Sequence, residues 1–183
     1  MSASRKCAAG FSLTELMFVI AAMATMMAIS VPALLDITDN AKLNSASREV
    51  ERELQAARLK AVSANRLLRV RFNCPAEGYY RTVEVLGSAA DSAANRCVPS
   101  AYPFPAPDTD VSTRPNYDGP VRVLPLQATV STSVLEFRPD GTAALVVSNV
   151  AQPIAAPVVV TVTRRGKSKS VTLNGAGKIQ LQP

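Results

Sequence analysis

A single carboxylate, Glu15, stands at the mouth of a 20-residue stretch without a charge, LMFVIAAMATMMAISVPALL from Leu16 to Leu35. A carboxylate beside an apolar span is costly unless something partners it, about 2.5–3.5 kcal/mol at a helix centre inside a membrane and less toward the ends. Two further groups could do chemistry. One is the pair Cys74 and Cys97; the other is a basic set near the C-terminus, Arg164, Arg165, Lys167, Lys169 and Lys178, with no Asp or Glu after Asp140. His is absent altogether. That removes Ser-His-Asp and Cys-His nucleophile systems, HExxH metal sites and His-tuned acid/base work. Three Cys are too few for a disulfide-rich scaffold or a four-Cys zinc site. Asp108 and Asp110 lie in a Pro-rich stretch without the ligand-rich frame of a calcium loop. No Walker-type loop or Rossmann glycine fingerprint occurs. The expectation is a protein without catalytic residues, metal or cofactor.

The elements that must carry these residues follow from hydrophobic patterning. As a helix, Leu16–Leu35 would be about 30 Å long, the thickness of a bilayer's hydrocarbon core. Only Thr25, Ser30 and Pro32 interrupt it. Arg5 and Lys6 precede the run, so the positive-inside bias keeps the N-terminus in the cytoplasm and sends the rest outward. Three readings compete. An ordinary secretory signal would be cut near Val31-Pro32-Ala33. A plain signal anchor would keep everything. A third reading uses the ten residues before the run.

Those residues are MSASRKCAAG, followed by FSLTELMFVIAAMATMMAISVPALL. Together they resemble the class III signal of type IV prepilins and type II secretion pseudopilins. The resemblance covers about 25 residues. It implies cleavage after Gly10 by a prepilin peptidase and methylation of the new N-terminus, Phe11. Glu15 becomes the fifth mature residue, and its carboxylate pairs with the α-amine of a neighbouring subunit. Pro32 falls where the family kinks its helix. The resemblance therefore divides the chain into a leader (1–10), a membrane-spanning or filament-core helix (11–35), an amphipathic helix continuing into a head (36–66) and a β-rich head (67–183). The fold it implies is α+β and pilin-like, a long N-terminal helix packed on a C-terminal antiparallel sheet. The protein would sit in the inner membrane by one pass, head in the periplasm, and then join a pilus or pseudopilus with other major and minor pilins or pseudopilins.

The residues beyond Leu35 read the same way on their own. Leu43, Val50, Ala57 and Ala64 recur every seven residues, with Ser47, Leu54, Ala61 and Leu68 as a second row offset by four. This makes one narrow apolar stripe. A coiled coil is the competing reading, but small residues fill half the seam. After Asn65 the period changes to two. Strands are expected over 68–72, 79–86, 121–124, 134–137, 143–147, 158–163, 170–173 and 178–181. The turns are Arg138-Pro-Asp-Gly141, Arg165-Gly-Lys167 and Asn174-Gly-Ala-Gly177. Residues 87–120 hold six Pro and few aliphatics, and read as a long surface excursion. Cys7 leaves with the leader, so the exported part has an even number of Cys. A Cys74–Cys97 disulfide is expected in an oxidising compartment.

Leu135-Glu-Phe137, Pro139-Asp-Gly141, Val158–Thr163 and Gly177-Lys-Ile-Gln180 resemble the C-terminal half of GspH/FimT-type minor pilins and pseudopilins, over about 50 residues. That family supplies low-copy subunits that prime or cap filaments. The expected function is a minor pilin; a type II secretion pseudopilin and a DNA-binding minor pilin for competence are the alternatives. DNA would meet Arg164, Arg165, Lys167, Lys169 and Lys178. Some relatives use a C-terminal Gly-Arg-x-Arg motif, and the matching positions here are Gly177, Lys178, Ile179 and Gln180. One Arg is Lys and the other has lost its charge, so the bidentate fork is missing.

Overall fold

The structure is a computed structural model that describes residues 12–106, 117–125, 128–131 and 133–182, apart from the side chains of Pro32 and Ala33. Gly10, Phe11, Asp108 and Asp110 lie outside the described residues. The first element, helix α1, runs Leu13–Ala64 and contains Pro32. Two compact units divide the chain, one up to Thr38 and one from Asp39 onward.

In the second unit α1 buries Leu43, Ala46, Ser47, Val50, Leu54, Ala57 and Ala61. This is the stripe expected from the heptads, except that Ala46 joins it, Ala64 is only half-buried and Leu68 belongs to the first strand. The helix stops at Ala64 because Asn65 turns left-handed (φ 51°). Asn65 N–H then donates to Val62 C=O at 3.3 Å and Arg66 N–H to Ala61 C=O at 3.0 Å, a Schellman closure.

Among the described residues ten strands follow: β1 Leu68–Phe72, β2 Tyr79–Glu84, β3 Arg122–Val123, β4 Thr129–Val130, β5 Val134–Phe137, β6 Ala143–Val147, β7 Val150–Pro153, β8 Val158–Arg164, β9 Lys167–Leu173 and β10 Ile179–Leu181. They form two antiparallel sheets, not one. The six-stranded sheet has the order β3-β2-β1-β5-β6-β7 and the four-stranded sheet β10-β9-β8-β4. The meander breaks after β7, where Pro153 and Pro157 lack the N–H that a continuing ladder needs. β8 then pairs with β4 instead, Val130 opposite Val162. Both sheets contribute to a single core with the helix: Val70, Phe72, Leu135 and Phe137 from one, Val160, Val162, Val171 and Leu173 from the other.

The described part of the segment after β2 lies largely at the surface, as its prolines suggested, and a few of its residues also pack on the sheet. Tyr80 and Thr82 face α1, donating to Glu49 and Glu53 at 3.2 Å. The alternate residues Arg69, Arg71 and Arg81 therefore point to the opposite, outer face of the sheet. There Arg81 donates to the carbonyls of Arg96 (3.0 Å) and Tyr102 (2.8 Å), and Arg71 to that of Ala93 (3.3 Å). The described part of the excursion is thus a cover on the outer face, and it explains why β2 is buried on both sides.

Candidate functional site

The first unit carries its apolar side chains outward. From Leu13, 77% exposed, through Phe18, 76%, to Ile37, 65%, its large apolar residues face away from any protein contact. Soluble monomers rarely expose contiguous apolar patches beyond a few hundred Å² without a partner or a membrane to meet them. The polar interruptions are satisfied within the helix: Thr25 donates to Ala22 C=O at 2.9 Å and Ser30 to Met26 C=O at 2.8 Å. That back-bonding lets a hydroxyl sit in an apolar surface without an orphan donor. Glu15 lies in the first turn and is exposed, where the helix dipole favours a carboxylate. In length and composition the helix suffices to cross a membrane.

The second unit braces its cover with charge. Cys74, in the β1–β2 connection, is disulfide-bonded to Cys97 of the cover, with Cα atoms 5.5 Å apart. Closing a loop of this size stabilises by about 3 kcal/mol. Beside it, Asp118 pairs with Arg96 at 3.0 Å and Arg81 at 3.7 Å, all three fully buried or nearly so. Burial pushes the Asp118 carboxyl up, against the Glu84 backbone N–H and then the two guanidiniums, which hold it down. Arg96 also stacks over the Tyr102 ring at 4.5 Å. Sequence reasoning missed this cluster. Its members lie far apart, Arg81 in β2 and Arg96 and Asp118 in the Pro-rich segment, and no local period marks them.

The C-terminal basic set is not one patch. Arg164 is buried and donates to Asp39 on α1, and Arg165 donates to the same carboxylate at 3.2 Å. The Arg164 hydrogen bond, and then the charge of Arg165, hold Asp39 below the usual carboxylate range, against some desolvation. No acid follows in sequence, but one arrives in space from 125 residues upstream. Lys169 lies midway along β9, opposite Val162. Lys178 sits past the other end of β9, seven residues of strand or about 20 Å from the Arg165-Gly166 turn. Gly177 has a packing reason of its own. Its φ is +75°, and a Cβ there would collide with the Gly141 carbonyl and Arg58. Among the described residues, no three His, Cys, Asp or Glu gather as a metal site would require.

No family model matches the sequence, and no curated protein matches it. Among solved structures, the chain is similar to the type IV minor pilin FimU of Pseudomonas aeruginosa (strain PAO1) in two crystal forms. The first match has 18% identity and a TM-score of 0.49 over 80% of this chain and 92% of that one. The second has 20% identity and a TM-score of 0.45 over 77% and 93%. It is also similar to the minor pseudopilin EpsH from the Type 2 Secretion System of Vibrio cholerae, at 10% identity and a TM-score of 0.44 over 77% and 96%. The fold itself is the expected α+β arrangement, a long N-terminal helix whose second half packs on antiparallel strands.

Proposed function

We propose that this chain is a minor pilin subunit that assembles through its N-terminal helix, with a structural rather than a catalytic role. The observation that carries the proposal is the first half of α1: apolar, exposed along its length, and headed by one carboxylate in its first turn. Such a helix has two physical fates, a bilayer and a bundle of similar helices, and a pilin occupies them in succession. Before assembly the helix spans the inner membrane with the head in the periplasm. After prepilin peptidase removes residues 1–10, the Phe11 amine becomes available to pair with Glu15 of a neighbour, which sets axial register. Pro32, inside the helix, would bend its path, as a proline in a helix interior does.

The test is Glu15→Ala in the native host. The variant should insert and mature normally while its recovery in sheared filaments falls at least tenfold. Normal recovery would overturn the pairing. A type II secretion pseudopilus is the second reading, since it uses the same anchor. A deletion strain separates the two: loss of twitching supports the pilus, loss of protein secretion the pseudopilus. DNA binding is less favoured, because Arg164 and Arg165 are already engaged with Asp39 and Lys178 stands at the far end of the hairpin.

A further inference from the structure

A cavity of about 310 Å³ opens on the outer face of the six-stranded sheet, at the margin of the cover. Its lining includes Arg69 and Arg71 of β1, Val134 and Val146 of β5 and β6, and the Ser148-Asn149 turn. Asp91 and Ser92, in the 3-10 turn Ala89–Ser92, close the other side. The hairpin turn is rigidly specified. Ser148 and Asn149 both have positive φ, 50° and 64°, and Val147 pairs with Val150, a two-residue type I′ connection.

The charges in this cavity are answered one by one, with an exception. Arg69 donates to Glu136 at 2.8 Å and to the Asn149 side chain. The Asp91 carboxylate accepts the backbone N–H groups of Leu86 and Gly87 at 2.8 Å and of Ser88 at 3.2 Å. Arg71 is half-buried, yet among the described residues it makes one hydrogen bond to protein, from Nη1 to the Ala93 carbonyl. Among the described residues no carboxylate lies within ion-pair distance of it. Burial, and then the positive charges of Arg96 and Arg69, hold its pKa below the ordinary arginine value. The bond to Ala93 uses Nη1 and leaves the Nε–Nη2 edge unbonded. That edge is one of those on which a guanidinium takes a carboxylate bidentately.

We propose that this cavity is a carboxylate-binding site, with Arg71 as the bidentate ligand and Val134 and Val146 as walls for a short aliphatic stem. Ser148 adds a hydroxyl at its rim, while the Ser92 hydroxyl donates to Ala89 C=O at 3.1 Å. The recognised chemistry is a carboxyl group on two or three methylenes, supplied by a free organic acid or by an acidic side chain of another polypeptide. The site belongs to the head and holds whichever filament the chain joins.

The test is titration of the full chain in detergent micelles, followed by the Arg side-chain Nε–H signals in NMR. Propionate and a capped tetrapeptide containing one Glu are the two anionic probes, and propionamide is the neutral control. Saturable movement of the Arg71 signal with either anion, and none with propionamide, is the expected result. Arg71→Gln should abolish binding and Arg71→Lys weaken it about tenfold, with thermal unfolding unchanged within a few degrees in both. Tighter binding of the peptide than of propionate assigns the site to a polypeptide carboxylate; equal or weaker binding assigns it to a free acid. Saturable binding that survives Arg71→Gln, or no saturable movement with either anion, would overturn the proposal.

Discussion

Residues Leu13–Thr38 and Asp39–Ala64 are the two halves of one 52-residue helix, and they spend their apolar side chains in opposite ways. The first half has Leu, Ile, Met, Val and Phe on all sides and leaves them exposed. The second half carries nine charged residues among its 26, with a stripe in which Ala46, Ser47, Ala57 and Ala61 alternate with Leu43, Val50 and Leu54. All of that stripe is buried. Small residues there let the strands approach closely. The half richest in apolar residues therefore contributes nothing to the head's core, and the half that builds the core is the more polar one. Apolar residues that bury no area within their own chain act between molecules, in lipid or against other helices.

Three experiments break or sharpen this contrast, and the first touches the head alone. Removing Asp118 leaves Arg81 and Arg96 buried without their shared counter-ion, an arrangement that costs about 3–5 kcal/mol. Asp118→Ala should lower the head's unfolding midpoint in urea accordingly, while membrane fractionation of the chain stays unchanged. An unchanged midpoint would mean that the cover is not held by charge.

The second places one substitution in each half. Leu54 is fully buried, so Leu54→Ala should destabilise the head by about 2–5 kcal/mol. Met27 is 63% exposed, and Met27→Ala should leave the head's midpoint where it was. Comparable losses from both would erase the distinction between the halves.

The smallest effect concerns the first turn of the second half, at Asp39. Its pKa is lowered in the folded state, mainly by the Arg164 hydrogen bond. The pairing therefore stabilises fully above the unfolded value of about 3.9 and is lost as pH falls through the lower folded value. Asp39→Asn should lower the melting temperature at neutral pH, with the gap to wild type closing as the pH drops below about 4. A gap independent of pH would assign the loss to packing rather than to charge.

Local patterns explain what the sequence disclosed. Leu68–Phe72, Val134–Phe137 and Ala143–Val147 alternate or bury apolar residues within a few positions, and they are strands with those bounds. The heptad stripe of α1 was legible for the same reason. Strands β4 and β7 were not. Thr129–Val130 is two residues long, and Val150–Pro153 ends in a proline behind a Ser-Asn turn that has no glycine to announce it. The split into two sheets rests on which strand β8 pairs with, a long-range choice that no window of residues contains. The Asp39 to Arg164 contact and the Arg81, Arg96 and Asp118 cluster are invisible for the same reason. Each joins residues that share no period and meet only once the sheets have formed. Of the candidate site, the apolar run and Glu15 were readable directly, because their signal is composition. The basic set was legible only in part: Arg164, Arg165, Lys167 and Lys169 gather at the β8–β9 turn, but Lys178 stands beyond the other end of β9.

The most direct test of the account is intact mass and N-terminal analysis of the mature protein from membranes and sheared filaments. A chain that begins at Phe11 with a methylated amine and keeps the whole apolar half of α1 is the predicted result. A chain that begins near Leu34, with that half removed, or one that still begins at Met1 would contradict it.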